Sequence, residues 1–155
     1  MKLTKEDVFY FLKLPYTPYW VSELVYLIGS FLFLHFLGKI NARLIQSFDI
    51  GRINYFMAKN ILAYENNASH SYLFWGGFFI LLSISIPVVS FIFNRYSYQP
   101  QEVKMIVNLL IVLIVAINLW MIFVILKTLW SPILLALLIV FGVSGIIAIA
   151  MTSSS

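Results

Sequence analysis

Residues 105–126 read MIVNLLIVLIVAINLWMIFVIL, with no Lys, Arg, Asp or Glu among them, between Lys104 and Lys127. Residues 24–38, 66–94 and 128–155 are likewise free of those four residue types. A charge at the centre of a bilayer costs roughly 2.5–3.5 kcal/mol even on the lenient insertion scale, and about 20 apolar residues span the hydrocarbon as a helix. Four such intervals in 155 residues predict an all-α membrane protein with four transmembrane helices.

Composition leads to the same class. Hydrophobic residues are 62% of the chain and charged residues 10%, against roughly 45–50% and 25% in soluble domains. A soluble fold of this size could not cover so much apolar surface. The expected organisation is a single integral membrane domain over residues 1–155. There is no cysteine, which excludes disulfides, thiolate metal sites and a cysteine nucleophile. The net charge of +4 does not suggest nucleic acid, since no two basic residues are adjacent. Basic residues beside membrane spans meet anionic headgroups instead, and membrane lipid is the expected partner.

Outward from 105–126, the predicted spans cover residues 19–38, 71–94, 103–126 and 131–151. Tyr16, Tyr19 and Trp20 open the first at headgroup depth, and Ser131-Pro132 offers a cap and a first-turn proline for the last. Few residues separate the last two spans, which predicts an antiparallel hairpin. Thr4 and Asp7 have capping-box spacing ahead of Val8–Leu12, so residues 4–14 are expected to form an amphipathic interfacial helix, stopped by Pro15 and Pro18.

The connection at 39–70 is the one substantial extramembrane piece. Ile40, Leu44, Ile45 and Phe48, then Ile53, Phe56, Met57 and Ile61, recur at helical spacing, which predicts amphipathic helix broken near Gly51. Its polar side carries Arg43, Arg52 and Lys59, candidates for docking onto lipid or a partner. The positive-inside rule does not orient the chain: Lys2, Lys5, Lys13, Arg95 and Lys104 on one side balance Lys39, Arg43, Arg52, Lys59 and Lys127 on the other. The membrane is expected to be a bacterial or organellar inner membrane.

Few residues carry chemistry. Glu23 lies about one turn inside the first span, where an interfacial carboxylate is the expectation and a coupling site for a proton or cation the alternative. His35 is about 18 Å further along the axis, too far to act with it. His70 is isolated, so no metal site is expected. Asn108 and Asn118 suit hydrogen bonding between helices. Gly76, Ser83, Pro87 and Ser90 fall near one side of the second span, and Gly142, Gly145 and Ala148 on one side of the fourth, as helix-packing faces. Ser144 sits in a Gly-x-Ser-Gly sequence, but no histidine follows His70 to act as its base. No catalytic residue and no cofactor is expected. The function these features imply is a non-enzymatic subunit of a larger membrane assembly, such as a secretion, respiratory or transport complex, with other integral membrane subunits as partners. The alternative is a small oligomeric ion- or proton-coupled transporter or channel using Glu23.

Overall fold

The computed structural model describes residues 14–152, so the interfacial helix expected at residues 4–14 lies almost wholly outside the described residues. The fold is all-α. Helix α1 (Thr17–Ser47) leads through a 3-10 turn (Ile50–Arg52) into α2 (Tyr55–Tyr96), followed by α3 (Gln101–Leu129), a π-helical segment (Trp130–Leu134) and α4 (Leu135–Thr152). Four helices are long and apolar enough to cross a membrane. α1 alone is about 46 Å long at 1.5 Å per residue, more than the roughly 30 Å of bilayer hydrocarbon. It continues through the expected exit at Gly38 into the amphipathic connection.

The break near Gly51 is the 3-10 turn, where the Asp49 carboxylate accepts from the Gly51 backbone N–H at 3.2 Å. Asn54 then caps α2, its side chain accepting from Met57 N–H at 2.8 Å. A second break interrupts α2 itself. Glu65, Asn66 and Asn67 have φ of 46°, 55° and 67°, in the left-handed region that asparagine tolerates better than most residues. Ser69 donates to the Ile61 carbonyl at 2.7 Å across that break.

The connection between the last two spans, expected as the turn of a hairpin, is itself helical. α3 passes through the π-helical segment into α4, and Leu129 and Leu135 on either side are both in the right-handed helical region. The physical reason is local. Pro132 removes one N–H from the helical ladder, and a wider turn absorbs the mismatch without stopping the helix. The stretch Thr128–Leu134 has no glycine or asparagine to take the positive φ of a tight reversal.

Burial follows a seven-residue period on three helices. On α1 the buried residues include Tyr19, Glu23, Tyr26, Ser30, Phe33, Leu37, Ile40 and Leu44, spaced alternately four and three apart. α3 repeats this with Val107, Ile111, Ile114, Asn118, Met121 and Ile125. On α2 the seam is small and polar: Gly76, Ser83, Pro87, Ser90 and Asn94 are buried. Such alternation keeps one seam of a helix facing its neighbour, and small residues on it permit close backbone approach.

The packing resolves into two compact units. One takes the described residues up to Ser30 together with Phe79–Ile122; the other takes Phe31–Phe78 and the described residues from Phe123 on. In the first, Tyr19 packs edge-on against Phe93 with ring centroids 6.4 Å apart, and Val107, Ile111 and Ile114 close around Tyr19. At the end of this unit Asn94 donates to the Lys104 carbonyl at 3.2 Å and to Asn108 Oδ1 at 2.9 Å, joining the ends of α2 and α3. In the second, Phe33 meets Tyr72, Phe48 meets Tyr64, and Arg43 pairs with Glu65 at 2.9 Å. Gly76 belongs here too: a Cβ added to it would stand 2.5 Å from Leu129 Cδ1.

Candidate functional site

Among the described residues, the seams bring one carboxyl side chain into the interior of the first unit. Glu23, expected about one turn inside the first span, is 5% exposed and packed among neighbouring helices. The register explains these neighbours. The residues opposite Glu23 are Ser83 and Asn118, which lie well inside α2 and α3, so the first turns of α1 meet the middles of its neighbours. Counting from the start of the apolar run could not show this, because burial depends on where the partners lie.

Four side chains form the site. Asn118 Nδ2 donates to the Ser83 backbone carbonyl at 3.0 Å and reaches Glu23 Oε2 at 3.4 Å. The Ser83 hydroxyl donates to the Phe79 carbonyl at 2.9 Å and is hydrogen-bonded to the Tyr26 hydroxyl. Because the Ser83 proton is already directed at Phe79, Tyr26 is the donor in the second bond. Proline supplies the reason for the Asn118 contact. Pro87 has no N–H, so the Ser83 carbonyl four residues earlier loses its helical donor, and the Asn118 amide replaces it. That bond also fixes which end of the amide is nitrogen.

The second unit uses the same device. Pro132 cannot donate to the Thr128 carbonyl, and Asn41 Nδ2 donates to that oxygen at 2.7 Å. Asn41 lies among the apolar residues at the end of α1, where its local sequence does not mark it as a donor. The signal that identifies it is the proline: each of Pro87 and Pro132 implies an unsatisfied carbonyl four residues back, and a buried amide elsewhere is a ready donor.

Beside the Glu23 cluster a groove of about 390 Å³ runs along α2 and α3, lined by Ser83, Pro87 and Asn118 among apolar residues such as Phe91 and Leu119. Asn118 is therefore shared between this groove and the carboxylate. The other predicted site residues are dispersed. Gly76, Ser83, Pro87, Ser90 and Asn118 lie in the buried seams, while Asn108 is exposed and is held only through Asn94. Gly142, Gly145 and Ala148 are exposed, and among the described residues neither glycine has an atom of another part of the chain within 4 Å of its Cβ position. Arg43 is engaged by Glu65, whereas Arg52 and Lys59 are exposed. His35 and His70 are exposed as well. Among the described residues no cluster of His, Cys, Asp or Glu could hold a metal ion.

Compared with protein-family models, curated proteins and solved structures, the chain finds no match.

Proposed function

We propose that this chain, with four helices compatible with an integral membrane protein, acts as a non-enzymatic subunit of a larger membrane assembly, such as a secretion, respiratory or transport complex. The observation that carries the reading is the last helix. Only 11% of its apolar window is buried, against 28%, 22% and 28% for the three before it, yet it carries Gly142 and Gly145 with open space where a Cβ would stand. A glycine inside a helix costs about 1 kcal/mol relative to alanine, and in a membrane it repays that cost where another helix approaches closely. A partner helix on this face gives both glycines a use that lipid does not. Arg52 and Lys59, exposed on the connection, add a positive surface for the same partner or for anionic headgroups.

The cysteine-free background makes the test direct. Gly145→Cys in native membranes is expected to cross-link to a second polypeptide through a short bifunctional reagent, while Phe74→Cys on α2 is not. Equal labelling at both positions, without a discrete product, overturns the reading.

Burial of Glu23 favours one second reading, a small ion- or proton-coupled carrier. There, Glu23→Gln abolishes flux in reconstituted vesicles while leaving the fold intact; unchanged flux removes that mechanism.

A further inference from the structure

We propose that Glu23 is a proton-binding site: inside the bundle it is held as the neutral carboxylic acid. The inference is independent of whether the chain is a subunit or a carrier, since it concerns what the buried cluster itself requires.

A donor inventory carries the argument. The cluster of Glu23, Tyr26, Ser83 and Asn118 brings four polar hydrogens: two on the Asn118 amide and one on each hydroxyl. The amide hydrogens go to the Ser83 carbonyl and Glu23 Oε2, the Ser83 hydroxyl to the Phe79 carbonyl, and the Tyr26 hydroxyl to Ser83 Oγ. All four are used. Among the described residues, two buried acceptors have no donor, Glu23 Oε1 and Asn118 Oδ1. The hydroxyls of Tyr19 and Ser30, on the same seam of α1, are buried without partners of their own, so neither reaches Glu23. The cluster is rich in acceptors and short of hydrogen.

Charge points the same way. The titratable groups of α1 nearest Glu23 are Tyr19 and Tyr26. The segments of α2 and α3 packed on it contribute no Lys, Arg, His, Asp or Glu between Phe79 and Asn94 or between Met105 and Ile122. Among the described residues Glu23 has no counter-charge, and a buried carboxylate in that state is among the most expensive groups a protein can hold and neutralises instead. One proton removes the charge and turns Glu23 from a pure acceptor into the missing donor. A hard metal cation fits less well, because it takes about six oxygen ligands and only two acceptors here are free.

Infrared spectroscopy of the full chain in vesicles at neutral pH tests this. The wild type is expected to show the carbonyl stretch of a protonated carboxylic acid, shifted by deuterium exchange and absent in Glu23→Gln. Glutamine is the isostere of the neutral acid, so the variant is expected to keep the wild-type thermal midpoint. A wild-type-minus-variant difference confined to the carboxylate bands overturns the proposal. Should the variant fail to fold, lipid-soluble carbodiimide, which attaches to protonated carboxyls, decides on the unmodified protein. An adduct on the Glu23 peptide that diminishes as pH rises supports the proposal; no adduct on that peptide at any pH overturns it. Suppression of the adduct by sodium ions at fixed pH shows a cation occupying the carboxylate and also overturns it.

Discussion

Asn118 Nδ2 lies 3.0 Å from the backbone oxygen of Ser83, the carbonyl that Pro87 deprives of its helical donor. An amide on one helix thus completes the hydrogen bonding of another. In hydrocarbon there is no solvent to do so, and an unsatisfied buried carbonyl costs about 1–3 kcal/mol.

Coupling between Asn118 and Pro87 follows. Asn118→Leu should destabilise the protein by about 1–2 kcal/mol in micelle denaturation, by leaving the Ser83 carbonyl without a partner. In the Pro87→Ala background the restored backbone N–H can satisfy that carbonyl, so the same substitution should cost less. A coupling of about 0.5–1.5 kcal/mol in the double-mutant cycle is expected, and additive losses would contradict the account.

The same logic applies to Asn41 and Pro132, where the amide donates to the Thr128 carbonyl. Asn41→Leu should cost about 1 kcal/mol, and Asn41→Gln should not recover it, because the longer side chain misplaces the amide. Denaturation midpoints of the two variants check this.

Substitution at Gly76 probes the closeness of the α2 seam. Gly76→Ala forces the tip of Leu129 to move from a 2.5 Å approach, at about 1 kcal/mol, and Gly76→Leu should cost about 3 kcal/mol through overpacking. Adding Leu129→Ala should relieve part of the Gly76→Ala penalty.

By contrast, Arg43 and Glu65 pair with side chains 56% and 40% exposed. Solvent screens such a pair, so Arg43→Ala should leave the denaturation midpoint almost unchanged, with any small effect disappearing at high salt. A large drop in the midpoint that persists at high salt would show that this pair is structural.

The membrane class and most helix positions were legible because charge-free lengths and the bilayer thickness leave little choice. Gly76, Ser83, Pro87 and Ser90 were visible as one side of a helix, and Asn118 as a buried amide. The partners of Glu23 were not legible, because they depend on register against α2 and α3, which no local pattern encodes. The seven-residue alternation Tyr19, Glu23, Tyr26, Ser30, Phe33 was readable as a seam, but its polar members broke the apolar pattern that usually reveals one. The helical connection after Leu129 has a local cause: Thr128–Leu134 lacks a glycine or asparagine, while Glu65–Asn67 supplies asparagines where α2 does break.

The claim that this chain works within a larger assembly is tested most directly by its native mass after gentle extraction from its own membrane. The account predicts a species heavier than the 17.9 kDa chain by a stoichiometric second polypeptide, and loss of that polypeptide on Gly142→Leu and Gly145→Leu. A monomer, or an oligomer of this chain alone, would contradict it.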